Sequence, residues 1–476
     1  MTHTSVNASH DASGDDRTLR GSLGTGSIVL MVVAAAAPLT VISGLVPLGI
    51  SGGNGAGFPM TFAVTTGVLL LFAVGFTAMS RYIPGTGAFY LYVGHGLGRG
   101  AGVGSAMLAL VSYSTVQLAV YGYLGPAMSS LITSYGGPEV PWWIFSLASL
   151  ALVAVLGFRH IELSGKVLGI LLIAEVGIVV VLDAFIIADG GPEGPSTAMF
   201  SPSEIFSGSP GVALVFALAG YIGFESTAIF RDEAKDPART IPRATYAALI
   251  LIGGFYALSS WAVVTAWGDK GAVDIAGTDP DGMLITTATD FAGTVTAHLI
   301  QILLVSSLFA AVLSLHNVLA RYIFVLSNTG VLPGAGGRTH RVHGSPHIAS
   351  VVQSCCALVL LGACIVIGLD PVTQIFAWFA GVATVGIVAL MLLTCLAVLV
   401  FFHRTKVDQR FWHTKLAPSL GLVGLIGFAI AIAGNLPLLL GGNILAVVMT
   451  GVLVLAFVGG FLYARRRKQV SFELPS

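Results

Sequence analysis

Apolar runs of about 20 residues recur along the chain from Leu23 to Tyr463, separated by short turns that carry Pro, Gly or charge. A helix that crosses the ~30 Å hydrocarbon core of a bilayer needs roughly 20 apolar residues. The pattern therefore predicts about twelve transmembrane helices, over 24–50, 58–80, 100–134, 142–159, 164–188, 209–231, 243–267, 292–327, 347–368, 372–402, 416–439 and 442–463. The runs are too long, and alternate too little, for barrel strands. In lipid every backbone N–H and C=O must be paired internally, so the segments are helical. No long polar stretch interrupts the array. One transmembrane domain over 22–465 is expected, between a disordered cytoplasmic tail, 1–21, and a cytoplasmic C-terminal tail, 466–476.

Composition removes the soluble alternative. Charged residues are 9% of the 476, against about 25% in soluble domains, and the mean hydropathy is +0.90. The first 20 residues, with Asp11, Asp15, Asp16, Arg17 and Arg20, lack the apolar core of a signal peptide. Cys355, Cys356, Cys364 and Cys395 all lie inside apolar runs and read as packing residues.

Charge sets the orientation. With the N-terminus inside, 21 of the 22 Lys and Arg fall on the cytoplasmic side and only Lys270 falls outside. The outer loops hold Glu139, Asp189, Glu193, Glu204, Asp269, Asp274, Asp279, Asp281 and Asp370 instead. This is the positive-inside bias. It places both termini in the cytoplasm and the protein in the plasma membrane as a multi-pass protein.

Two segments break the helical pattern. The first reads AAAAPLTVISGLVPLG, with Pro38, Gly44 and Pro47; the sixth reads FALAGYIGFEST, with Gly220, Gly223 and Glu225. Proline removes a backbone donor and clashes with the preceding turn, and glycine makes unwinding cheap. Segments 1 and 6 match in a five-plus-five inverted repeat, where secondary transporters place their discontinuous helices and their substrates. The third segment opens on GHGLGRGAGVGS, in which Gly94, Gly98 and Gly102, and Gly96, Gly100 and Gly104, are spaced for close helix packing. It fits no nucleotide loop.

The run GFESTAIFRDEAKDPARTIPRA, Gly223 to Ala244, resembles the sixth-helix signature of the amino acid–polyamine–organocation permeases. RYIPGTGAFYLYVGHGLG, Arg81 to Gly98, resembles the stretch after their second helix, and LARYIFVLSNTGVLP, Leu319 to Pro333, the end of their eighth. The resemblance covers about residues 22–465 and implies the LeuT-type fold, with helices 1–5 and 6–10 as inverted repeats. It implies a secondary transporter that moves amino acids or related amines by alternating access, with polyamine permease, amino acid exchanger and non-transporting receptor as alternatives. It places substrate binding at Pro38, Thr40, Val41, Ile42, Ser43 and Gly44 in the first break. In the sixth it places binding at Gly220, Tyr221, Gly223, Phe224 and Glu225. The family's Gly-Ser-Gly-like triplet falls on the bulkier Thr40, Val41 and Ile42, which points away from a standard α-amino-acid pose. Ala219 takes the place of a gating aromatic, for which Phe216 or Tyr221 are the nearby substitutes.

Charges in hydrocarbon are costly and usually functional. Glu225 lies in the sixth break and Glu175 midway along helix 5. The resemblance places a coupling residue near Glu175, which is expected to carry a proton. Sodium is a lesser expectation, through the hydroxyls of Ser306 and Ser307. Asp183, nearer the outer end of helix 5, is expected to be interfacial. His340, His343 and His347 have no carboxylate nearby, so no metal site is expected. No cofactor, no nucleic-acid partner and no enzymatic motif are expected.

Overall fold

The computed structural model describes residues 23–83, 88–159, 165–338 and 346–466. The terminal tails, His340 and His343 lie outside the described residues. Among those described, the chain is helical throughout, and its one β-bridge joins Leu23 to Ala234. Ten helical segments are long and apolar enough to cross a membrane. The first of these, Thr25–Ser80, contains two rods, and Trp142–Phe158 is a shorter apolar helix beside the ten.

The principal helices, numbered in chain order, follow from these segments. Helix 1 is Thr25–Ala35 and its continuation over 38–54; helix 2 is Phe58–Ser80. Helices 3, 4 and 5 are Arg99–Ser134, Trp142–Phe158 and Gly165–Asp189. Helix 6 is Pro210–Ala219 followed by a tighter 3-10 stretch, Phe224–Glu233. Helices 7, 8 and 9 are Pro237–Trp267, Met283–Asn328 and His347–Ile367. Helices 10, 11 and 12 are Pro371–Thr405, Trp412–Leu439 and Asn443–Arg466.

The segment Met283–Asn328 is broken at Gly293, with φ 81° and ψ 165°, so the long apolar part of helix 8 begins there, as the apolar pattern predicts. Helix 7 starts at Pro237, through a polar first turn that hydropathy does not count as membrane. A short helix, Asp269–Thr278, follows helix 7 and packs against the far end of helix 1.

The apolar surface faces two ways. One continuous core runs through the bundle, with Phe58, Phe62, Phe72, Phe76 and Tyr256 almost fully buried. Val366, Ile444, Val447 and Leu455 point outward on helices 9 and 12, as a bilayer requires. The glycine spacing is used for close approach. Gly96 packs on the backbone of Ala397 in helix 10, and Gly104 on the carbonyl of Phe457 in helix 12. Buried polar side chains tie helices 3, 8 and 9 together: Gln353 donates to Gln117 Oε1 at 2.6 Å, and His316 Nε2 lies 2.8 Å from Ser350 Oγ.

Candidate functional site

The two breaks meet at the centre of the bundle. Helix 1 is interrupted at Ala37, which takes the left-handed conformation at φ 46° and ψ 67° just before Pro38. A proline disfavours the α region for the residue before it, so the discontinuity falls upstream of Pro38. Beyond it the chain is helical again and loosens into a π turn over Val41–Leu45. Helix 6 is interrupted at Gly223, with φ 111°. That value suits glycine and strains any other residue. A methyl at Gly223 would sit 3.6 Å from Ala35, and one at Gly220 would sit 3.1 Å from Val41. The discontinuities of helices 1 and 6 are thus in van der Waals register.

Three side chains hold the breaks from outside. Tyr256 of helix 7 donates to the Ala36 carbonyl at 3.3 Å. Glu225 accepts from the Gly223 amide at 2.9 Å and from the Tyr113 hydroxyl of helix 3. Glu175 of helix 5 accepts from Ser307 Oγ of helix 8 at 3.0 Å and lies within hydrogen-bonding reach of the Leu39 amide. Leu39 is in the first turn after Pro38, where an amide has no intrahelical acceptor. The carboxylate of helix 5 is thereby placed beside the start of the second half of helix 1. Beside it lies a cavity of ≈ 20 Å³, lined by Ala34, Leu168, Leu171, Leu172, Glu175, Ser307 and Ala310.

The predicted site residues divide by direction. Gly220, Gly223 and Glu225 face helix 1 or helix 3. Tyr221 and Phe224 face helix 2: the Tyr221 hydroxyl bonds Thr66 at 2.6 Å and the Phe62 carbonyl at 3.0 Å, and the Phe224 ring packs edge-on to Phe72. Phe216 is buried in the core. In the first break, Pro38 opens the second half of helix 1, and Thr40 Oγ1 is buried with no hydrogen-bond partner among the described residues. Ile42 is a core residue.

Ser43 and Gly44 belong to a packed cluster on one side of the breaks. Ser43 Oγ and the Tyr123 hydroxyl share a hydrogen bond of 2.7 Å. The Tyr123 ring stacks on Phe376 of helix 10, with centroids 4.8 Å apart. Gly44 lies against both rings. On the other side a second aromatic group packs Tyr113 and Tyr90 against Tyr322, with centroids 5.9 and 5.6 Å apart.

Sequence reasoning missed two features. The partner of Glu225, Tyr113, is 112 positions away and carries no local signal. Asp183, expected to be interfacial, is covered by protein: it is 3% exposed and accepts from Ser259 Oγ of helix 7 at 2.6 Å. Its one available signal was its spacing of eight from Glu175, about two turns along the same helix. Of the hydroxyls considered for an ion, Ser306 bonds its own helix at the Leu303 carbonyl, and Ser307 alone reaches Glu175. Among the described residues no group of three His, Cys, Asp or Glu is placed to hold a metal ion.

Comparison with known proteins adds the context for this geometry. The family profile described as "Amino acid permease" matches residues 27–471. The probable GABA permease of Pseudomonas aeruginosa is 27% identical over 266 residues, 53% of this chain and 51% of that protein. The serine/threonine exchanger SteT of Bacillus subtilis is 23% identical over 373 residues, 77% of this chain and 80% of that protein. The low-affinity putrescine importer PlaP of Escherichia coli K12 is 21% identical over 354 residues, 72% of this chain and 75% of that protein. The first match thus spans about half of its relative, and the other two span three quarters or more.

Proposed function

We propose, from the premise that the chain belongs to the amino acid permease family, that it is a secondary transporter moving amino acids or related amines across the plasma membrane by alternating access. In this reading it crosses the membrane twelve times with both termini in the cytoplasm, as a five-plus-five repeat with two further helices. It carries substrate and proton and performs no enzymatic turnover.

The observation that carries the reading is the contact between the two breaks, Gly223 against Ala35 and Gly220 against Val41. Interrupted helices expose backbone polar groups at membrane depth, which is tolerated only where they line a cavity or are buried in protein. Near the breaks lie the unpartnered Thr40 hydroxyl, three residues after Ala37, and the Glu225 carboxylate, two residues after Gly223. Acceptors of this kind suit an ammonium, the group shared by GABA, serine, threonine and putrescine. The lid of Ser43, Tyr123 and Phe376 and the Tyr90, Tyr113 and Tyr322 group lie on opposite sides of the breaks. Two such barriers are what alternating access needs.

Coupling is assigned to Glu175. Its neighbours are a hydroxyl and an amide, both donors. An amide N–H repels a metal cation but stabilises a carboxylate. A proton is therefore the better occupant than sodium, and loss of that proton strengthens its hold on the start of the second half of helix 1. Uptake of labelled amino acids and amines into proteoliposomes tests the reading. Wild type accumulates at least one such compound when the outside is acid, and Glu175→Gln loses that accumulation while exchange survives. No flux of any amine, with binding retained, would make the protein a receptor. Proton-driven accumulation by Glu175→Gln would move the coupling site elsewhere.

A further inference from the structure

We infer that Asp183 is a second proton-binding site, a station between the acidic end of the bundle and Glu175. The inference rests on the proton-coupled reading above and extends it to a residue that reading does not use.

Helix 5 shows one protein-facing stripe. Glu175, Val179, Leu182, Asp183 and Ile186 are all buried. Eight residues set Asp183 about 12 Å along the axis from Glu175 and about 80° round it, within one wide buried stripe. Its partner is Ser259, itself fully buried. A lone carboxylate at such a place, bonded by a single hydroxyl, needs a proton or a basic neighbour. No charged side chain of helix 1, 7 or 8 reaches it among the described residues. The titratable groups around it are the Tyr256 phenol, one turn from Ser259 on helix 7, Glu175 and Asp189 on its own helix, and Asp269 just past the end of helix 7.

Polar groups continue from it in both directions along helix 7. Toward the acidic end, Ser196 donates to Asp269 at 2.6 Å, and the Ser196 amide donates to Thr265 Oγ1 at 3.2 Å. Toward the breaks, Ser260 Oγ bonds the Tyr256 carbonyl at 2.6 Å, and the Tyr256 hydroxyl bonds the Ala36 carbonyl. Leu39 and Glu175 lie one turn further. Asp269, Ser196 and Thr265, then Asp183 with Ser259, then Tyr256 with the Ala36 carbonyl form a discontinuous row of bonded groups along helix 7, which water has to bridge on the way to the coupling carboxylate. Asp183 is the one member of its middle that can hold a proton and give it up. A proton taken from outside water rests on Asp183 and passes through hydroxyls or water to Glu175, leaving the Asp183 carboxylate free to reload.

The inference is tested on the full chain in two ways. Infrared difference spectra between acid and neutral pH show the carbonyl bands of protonated carboxyls. Asp183→Asn removes one band, Glu175→Gln removes a different one, and Ser259→Ala shifts the Asp183 band without removing it. In right-side-out proteoliposomes, Asp183→Asn loses the stimulation of uptake by external acidification. Asn retains an acceptor for Ser259, so a purely structural Asp183 predicts wild-type behaviour in both tests. A spectrum with the full set of bands, or an unchanged response to external pH, overturns the inference. Should Asp183→Asn fail to fold, the Ser259→Ala shift decides alone. Failure of Glu175→Gln to uncouple would remove the coupling assignment but leave the Asp183 band readable.

Discussion

Placing a methyl group at Gly44 tests the lid where it is tightest. A Cβ added there would lie 2.7 Å from Phe376 Cε1 and 2.9 Å from Tyr123 Cε1. Neither ring has room to yield. Tyr123 and Phe376 are 1% and 3% exposed, their rings are stacked, and the Tyr123 hydroxyl is fixed by Ser43. Gly44 itself sits in the π turn of Val41–Leu45, and Phe376 in another over Pro371–Phe376. Such turns are frequent at functional sites because their ladder shifts at low cost.

Overpacking of a filled core by one methyl costs typically 1–3 kcal/mol. In the proposed cycle the cost falls on the conformation described here, in which the lid is shut and the three residues meet. The shut population should therefore drop by about 5- to 150-fold, the ratio that such an energy sets. Ser43→Ala removes one hydrogen bond without adding bulk, about 0.5–1.5 kcal/mol, and should give a milder form of the same defect. Initial rates of uptake into proteoliposomes report how far transport is impaired in each variant. Labelling of Thr40→Cys by a membrane-impermeant thiol reagent, in a background without the four native cysteines, reports how often the lid is open: it should rise in Gly44→Ala. Uptake and labelling both equal to the parent would show that this contact is not a moving barrier.

Two further outcomes are expected. Tyr113→Phe removes the donor to Oε1 of the buried Glu225 and leaves the Gly223 amide on Oε2; a lost bond to a charged group costs about 1.5–3 kcal/mol, and substrate affinity measured by counterflow should fall while Glu225→Gln in the same background adds little more. On the loop between helices 10 and 11, the Arg410 guanidinium grips Asp408 through Nε at 3.1 and 3.0 Å and Nη2 at 2.6 Å and holds its carboxyl below the usual carboxylate range, against the opposing effect of burial. A depressed pKa contributes stability that is complete above the unfolded value, ~3.9 for Asp, and is lost as pH falls through the lower folded value; the melting temperature in detergent should drop over that acid window in the parent and change less in Asp408→Asn.

The helices were legible because the bilayer makes few exceptions: a chain segment there must be helical and apolar for about 20 residues. The start of helix 7 was less so. Its first turns, Pro237–Arg243, carry charge and a hydroxyl, which hydropathy cannot separate from a loop. The break in helix 6 was readable at Gly223, because a φ of 111° selects for the residue that advertises it. The break in helix 1 was only indirectly so. Its left-handed residue is Ala37, which announces nothing, and Pro38 marks the place from the following position. The polar residues follow the same logic. Glu175 and Asp183 are equally conspicuous in an apolar helix, but their depths are set by which neighbours cover them. Helix 7 covers Asp183 through Ser259, a serine among apolar residues that hydropathy reads as membrane filler. Pairings such as Glu225 with Tyr113 and Glu175 with Ser307 join residues 112 and 132 positions apart. Only the folded bundle brings them together, and it brings both to a break. Glu225 and Glu175 thus both lie against interrupted backbone, and in the proposed cycle a change in their protonation acts on the elements that move.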